Sequence, residues 1–282
     1  MAETFKDQVL GNHLVKQISW DKEVTVEVVV GMETKIFKAD FVLVTFSIGV
    51  LREQLESMFN PALPPPFQQL LGKIEMANYL KIFMKFSERF WPPQYDYIFY
   101  ASKDPKDRGF YPVWQNLPGS QTNIPENDKI LLVTVTGKKA QELREDRERI
   151  ATELVPVLKK VFVNFIKPLE KEPVLVGIEL KNWELDPLFR GAYSNTVIGI
   201  TSLHFNTLLQ PVGGKLFFAG EGLSELYYGF LHGAYLTGEE QAKKIIGVIQ
   251  YQKSLKPKAI QKIGLNYALR KSIGKPGNGT KY

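Results

Sequence analysis

Leu216-Phe217-Phe218-Ala219-Gly220-Glu221, followed after a short loop by Tyr227-Tyr228-Gly229-Phe230-Leu231-His232-Gly233-Ala234-Tyr235-Leu236-Thr237-Gly238, is the stretch on which the fold turns. The first run is apolar and β-prone, and it stops at a glycine and an acidic residue, as a buried strand entering a tight turn does. The second opens a helix expected over residues 230–249, with glycine in its first turns. Glycines let a ligand or another backbone approach closely. A helix N-terminus offers free N–H groups and a positive dipole end to electron-rich groups. A carboxylate beside such a turn can accept hydrogen bonds from sugar-type hydroxyls. Spacing alone leaves a second reading open, an ordinary strand–turn–helix with Gly229 and Gly233 placed for helix packing.

Upstream, residues 13–20, Val24–Val30 and 35–38 read as an antiparallel meander, the alternation Val24-Thr25-Val26-Glu27-Val28 marking a half-buried strand. Residues 41–46 are a continuous β-prone run, expected to be covered on both faces, and lead through Ser47-Ile48-Gly49-Val50-Leu51 into a short helix. The cluster Pro61-Ala62-Leu63-Pro64-Pro65-Pro66 reads as a rigid linker. Residues 78–86 alternate, with Tyr79, Lys81, Phe83 and Lys85 on one face and Leu80, Ile82, Met84 and Phe86 on the other. Further strands are expected at 95–101, 109–114, Ile130–Thr136 and 174–181, and a helix over 147–165 with Pro156 inside it.

Of the 282 residues, 44% are hydrophobic and 23% charged, which suits a folded chain with a sizeable core. There is no cysteine, so disulfides, thiolate metal sites, cysteine nucleophiles and covalent flavin attachment through cysteine are excluded. No other metal-ligating constellation stands out. No apolar run is long enough to span a membrane, and the start of the chain has no apolar core behind a basic stretch, so no signal peptide is visible. The default expectation for localisation is therefore cytoplasmic. The net charge is +6, yet from Gln241 onward every charged residue is basic. Residues 251–282 are expected to be a flexible basic tail, with contact to nucleic acid or another anionic surface as the alternative.

The strand–Gly-Glu–loop–helix segment resembles the C-terminal flavin-binding signature of the flavin-containing amine oxidase family, the monoamine and polyamine oxidase superfamily. The likeness extends from about residue 12 to 245. It includes Val44-Thr45-Phe46-Ser47-Ile48-Gly49-Val50-Leu51, Tyr79-Leu80-Lys81-Ile82-Phe83-Met84-Lys85-Phe86 with Phe90-Trp91-Pro92, and Trp183-Glu184-Leu185-Asp186-Pro187 running to Arg190-Gly191-Ala192-Tyr193-Ser194-Asn195. The nearest subgroup is the plant-type polyamine oxidases. The fold this implies is α/β and α+β: a partial FAD-binding, Rossmann-like domain in two pieces, 1–50 and 196–250, and between them a substrate domain, 51–195, with a mixed β-sheet flanked by helices.

By the same resemblance Lys81 is the catalytic lysine that holds a water against the flavin, partly buried on a strand facing the cofactor; read alone it is a solvated lysine on a strand face. Tyr193 and Phe230 match the aromatic pair that flanks the substrate amine, with Tyr79 beside them. Phe230 stands where tyrosine is common, and Leu80 replaces a small polar residue. Glu221 matches the acidic residue near the ribityl chain, Leu231 a backbone contact to the cofactor and Val15 a backbone contact to the adenine. Trp183 and Phe189 match residues that pack around the flavin, though both would also suit an ordinary aromatic core. The family's Gly-x-Gly-x-x-Gly turn does not occur in the sequence. The resemblance therefore implies a chain that begins inside the flavin domain and an incomplete copy of the enzyme. FAD would be held non-covalently, and weakly or not at all without that turn. The implied activity is oxidation of amines, above all polyamines such as spermine and spermidine, to an imine and then aldehyde plus amine, with dioxygen reduced to hydrogen peroxide. Two other readings remain: a catalytically inactive truncated relative, and a chromatin-associated member like the lysine demethylases.

Overall fold

The computed structural model describes residues 2–117, 125, 129–166, 169 and 171–272. In chain order its elements are β1 (Leu14–Ser19), β2 (Val24–Val30), β3 (Glu33–Ala39), β4 (Val42–Val44), α1 (Ile48–Glu53), α2 (Leu55–Met58), β5 (Phe59–Asn60), α3 (Pro65–Leu71), β6 (Ile74–Met76), β7 (Tyr79–Phe86), β8 (Tyr97–Phe99), β9 (Val113–Asn116), β10 (Ile130–Thr136), α4 (Gly137–Leu143), α5 (Arg147–Val161), α6 (Val163–Ile166), β11 (Leu175–Leu180), β12 (Ser194–Thr196), α7 (Ser202–Leu208), β13 (Leu216–Phe218) and α8 (Leu231–Ser272).

Two cores organise these elements. In the first, β3-β2-β1 form the expected antiparallel meander and β5 adds to β1 in parallel. Beside it β4 and β13 pair in parallel, Val42 with Leu216 through Val44 with Phe218. Ile18, Val44, Leu51, Phe59, Phe67 and Phe218 belong to one buried cluster. Val44 is buried, but Val42 and Leu43 are only half-buried, which corrects the expectation of a strand covered on both faces. The cause is that β13 is the one strand partner β4 has among the described residues.

The proline cluster is corrected more sharply. Pro64 caps α3 and Pro65 occupies its first turn, where a missing N–H costs nothing. Leu63 and Phe67 are buried in the first core. The segment is therefore a helix start anchored to that core by Leu63, with its prolines exposed, and not a linker. Because the first core also takes in Leu71 and Ile74, the second unit begins near β7 and not at residue 51.

The second core lies under the sheet β11-β7-β10-β9-β8. Leu80, Ile82, Met84 and Phe86 of β7 face Ile150, Leu154 and Leu158 of α5, so the alternation read from the sequence is the burial pattern of the strand. The α+β architecture stands, but every ladder in this sheet is antiparallel where a mixed sheet was expected. The strand expected at 109–114 lies later, at Val113–Asn116. Gly109 and Tyr111 hold positive φ (84° and 54°), and a backbone turning there cannot be pleated. Helix α5 passes through Pro156. Helix α8 continues to Ser272, so residues 251–272 are helical where a flexible tail was expected. No helix of the described residues is long and apolar enough to cross a membrane.

One polar cluster fastens the helices to the second sheet. Glu153 of α5 accepts hydrogen bonds from Tyr111 Oη (2.8 Å) and Arg149 Nε (2.9 Å) and is paired with Lys139 of α4. Burial pushes its carboxyl up, but the bonds from Lys139, Arg149 and Tyr111 outweigh that and hold it at about 2, against an ordinary 4.5. The same contact, with burial first, raises the Tyr111 phenol. A carboxyl depressed in the folded state stabilises above its unfolded value, and the contribution fades as pH falls towards the folded one. Glu153→Gln should therefore melt below the wild type at neutral pH, with the gap closing between about 4.5 and about 2. Melting temperature followed by circular dichroism across that window checks it; a gap independent of pH would refute the assignment.

Candidate active site

The loop from Asn182 to Ala192 carries much of the site, and its own hydrogen bonds shape it. Asn182 N donates to Glu145 Oε1 (2.9 Å), Glu184 N to Asn182 Oδ1 (3.0 Å) and Gly191 N to the Trp183 carbonyl (3.0 Å). Asp186 accepts from Leu188 N (2.9 Å) and pairs with Lys181 (2.7 Å). The Lys181 ammonium, then the Leu188 amide, hold its carboxyl below the usual range. The folded loop sets Trp183 edge-on to Phe189, with centroids 5.1 Å apart, and brings Lys181 Nζ over the Trp183 ring at 5.6 Å.

This loop sits against the start of α1. Ser47 Oγ donates to the Phe189 carbonyl (2.5 Å), and Gly49 lies so close that a Cβ there would stand 2.3 Å from the Arg190 carbonyl oxygen. Gly191, at φ 146°, would place a Cβ 2.4 Å from Met76 Cβ. The glycine of Ser47-Ile48-Gly49 is thus required by a backbone-to-backbone approach.

Two cavities result. One, of about 520 Å³, is lined by Tyr79, Lys81 and Phe83 of β7, by Lys181 and Trp183, and by Ala192 and Tyr193. Tyr79 and Tyr193 meet edge to face at 5.8 Å. The other, of about 360 Å³, lies between residues 45–48 and 220–223 and also touches Phe189 and Ala234. Ala192 lines both, so the two adjoin. Of the residues expected at the site, Tyr79, Lys81, Trp183 and Tyr193 line the first cavity, and Phe189 and Glu221 the second.

Two placements differ from expectation, Lys81 and Phe230, and two more residues, Leu231 and Val15, line neither cavity. Lys81 is exposed, not partly buried. Phe230 is 62% exposed and stacks on His232 at 5.4 Å; it does not line the cavity with Tyr193. The residue against the Tyr193 ring is Gly229, whose Cβ would meet it at 3.3 Å. Leu231, the first residue of α8, is 89% exposed. Val15 lies in β1, at a break in register with β2, with its side chain against the first core and away from both cavities.

Lys181 was missed by sequence reading. Leu180 pairs with Ile82 across the ladder, so the next residues along, Lys181 and Lys81, lie side by side at its end. Only the long-range pairing of β11 with β7 reveals this.

Glu221 is the hub of the second cavity. Its carboxylate accepts from Ser194 N (3.0 Å), from Ser194 Oγ (2.7 Å) and from Gly229 N. A carboxylate has about four acceptor positions, so about one remains for a ligand hydroxyl. Gly220, at φ 153°, would place a Cβ with only the Phe46 carbonyl oxygen near it, at 3.9 Å, which leaves an open cradle of backbone. An aromatic wall, a lysine on the strand facing it and this cradle fit the ring and ribityl end of a flavin. For the adenosine diphosphate end the chain offers no Gly-x-Gly-x-x-Gly turn.

The model of the flavin containing amine oxidoreductase family matches residues 1–246. The chain belongs to that family. Polyamine oxidase 1 of Zea mays is 34% identical over 221 residues, covering 77% of this chain and 41% of that protein. Polyamine oxidase 6 of Oryza sativa subsp. japonica is 34% identical over 243 residues, 85% of this chain and 46% of that protein. Lysine-specific histone demethylase 1 homolog 2 of Arabidopsis thaliana is 29% identical over 241 residues, 84% of this chain and 30% of that protein. The chain thus spans less than half the length of these relatives. Flavin is the cofactor of the family, and the matched region contains both cavities.

Glu221→Ala would leave three donors unpaired and should destabilise the fold by about 3 kcal/mol. Glu221→Gln, which keeps an acceptor, should cost clearly less. Gly49→Ala should cost about 2 kcal/mol through backbone overpacking. Urea unfolding of the three variants checks this order; equal stability of Glu221→Ala and wild type would overturn the hub role.

Proposed function

We propose that the protein serves FAD-dependent oxidation of amines, with polyamines such as spermine and spermidine as the substrate class. The observation that carries the reading is the convergence of Tyr79, Lys81, Trp183 and Tyr193 on one cavity that adjoins the Gly220–Glu221 cradle. A flavin held by the Gly220–Glu221 cradle would supply the two-electron acceptor for a hydride from the carbon beside the amine nitrogen, with dioxygen as the terminal acceptor reduced to hydrogen peroxide. The imine left behind takes up water and separates into aldehyde and amine.

The chain's own residues do the rest. The Tyr79 and Tyr193 rings hold the aliphatic amine by their faces and edges. Lys81 Nζ, an N–H donor on the cavity floor, positions a water for proton transfer. Trp183 and Phe189 wall the cofactor side. Leu231 N stands at the start of α8, a place that suits an electron-rich group. Val15, in the first sheet, serves the adenine end by its backbone.

A second reading, an amine oxidase acting on methylated lysine, is favoured by the match to lysine-specific histone demethylase homologues. It shares the chemistry and differs in the substrate. The higher identity to the polyamine oxidases favours the first reading.

The chain supplied with FAD should quench flavin fluorescence and release peroxide on spermine but not on a methyl-lysine peptide. Lys81→Met should lower kcat about a hundredfold with little change in KM. Peroxide from the peptide alone would transfer the assignment to the second reading. Neither flavin retention nor peroxide would make this chain a non-catalytic relative.

A further inference from the structure

The sheet carries a second aromatic pair that the site described above does not use. Tyr97 and Phe99 lie on β8, the edge strand, and are 53% and 77% exposed. Their rings are nearly parallel, 17° apart in plane with centroids 6.5 Å apart. The residue between them, Ile98, packs into the second core, so both rings stand on the opposite, open face.

Register places that pair in line with the cavity. Phe99 pairs with Val113, Val113 with Thr134 and Thr134 with Lys81. One row over, Tyr97 pairs with Gln115, Gln115 with Leu132 and Leu132 with Phe83. Side chains in direct register across antiparallel strands point to one face. Lys81 and Phe83 line the larger cavity, so two rows of register run from the cavity to the exposed rings; the row through Thr134 and Val113 is half-buried along its length, whereas Leu132 in the other is buried, so the half-buried row is the path. Three strand spacings of about 4.8 Å separate the ends, about 14 Å in all. An extended covalent chain advances about 1.2 Å per bond, so about twelve bonds bridge them. That is the length of an extended tetraamine, and well beyond a four-carbon diamine.

We propose that Tyr97 and Phe99 form a distal subsite for the far ammonium of a linear polyamine whose reacting end lies beside Lys81. This rests on the polyamine reading given above. An ammonium seated over the pair falls within the roughly 6 Å range of a cation–π contact to both rings. Among the described residues β8 has no outer strand partner, so its outward carbonyl oxygens can accept from the ammonium N–H groups. Gln115 and Thr134, half-buried along the rows, give internal amines polar partners. The subsite selects for length and charge at the end remote from the chemistry.

The test is titration calorimetry of the full chain, in the presence of FAD, with spermine and with 1,4-diaminobutane. Phe99→Lys should weaken spermine binding at least tenfold, and Tyr97→Ala/Phe99→Ala about fivefold, while diamine binding changes less than twofold. Phe99→Leu keeps apolar bulk without a π face and should behave like the alanine variant. Both side chains are exposed, and unchanged melting temperatures will show that the variants fold. Spermine affinity unaltered by these substitutions overturns the subsite and leaves the polyamine reading intact. A wild type that binds no polyamine overturns both.

Discussion

Three stretches that are remote in sequence meet at one carboxylate. Glu221, just past β13, is bonded to the backbone and hydroxyl of Ser194 in β12 and to the backbone of Gly229 before α8. Those bonds fix where the loop 182–193 returns to the first core and where α8 departs. Thr237 reinforces the arrangement from the helix, its Oγ1 donating within 3.0 Å to the Gly220 carbonyl. Gly233 packs so tightly beneath Tyr227 that a Cβ would stand 2.2 Å from its carbonyl oxygen. The position of Tyr193, and with it the wall of the larger cavity, follows from these contacts. The residue expected to serve the ribityl chain therefore has a prior structural duty, and any ligand must share it.

What could be read from sequence was whatever is periodic or local. The alternation of β7 sorted its residues correctly onto two faces, because one face meets α5 and the other does not. The strand–Gly-Glu–loop–helix pattern was visible because turn chemistry is local. The errors have an equally physical origin. Pro61 to Pro66 looks like a linker by composition, yet Leu63 and Phe67 are buried, and burial depends on partners hundreds of atoms away along the chain. Lys181 was invisible as a cavity residue because its place is set by the pairing of β11 with β7. Phe230 was assigned from a motif position, but the side chain direction at the start of α8 turns it to His232.

The first core has a feature that the second lacks. Its parallel ladder has two strands of three residues each, whereas parallel sheets are ordinarily larger and covered on both faces. Around it Leu226, Phe230, Leu231 and Tyr235 stay exposed. The second unit, with five antiparallel strands over α4 and α5, closes its own core. The second core is therefore the more self-sufficient, while the surroundings of Gly220 leave apolar side chains uncovered.

The charge of the larger cavity bears directly on amine chemistry. Its lining residues include Lys81 and Lys181 but no carboxylate. Asp186 pairs with Lys181 at 2.7 Å, whereas no carboxylate among the described residues pairs with Lys81. On the reading proposed above, a protonated amine beside Lys81 is repelled, while its neutral form still packs its methylenes against Tyr79 and Tyr193. Removal of hydride from the adjacent carbon requires that free lone pair, since it stabilises the resulting iminium. On the polyamine reading proposed above, the substrate is recognised as a cation at amines remote from Lys81. Across the sheet the field of Lys81 weakens with distance and the exposed rings of Tyr97 and Phe99 become accessible, so on that proposed reading one molecule is neutral where it reacts and charged where it is held.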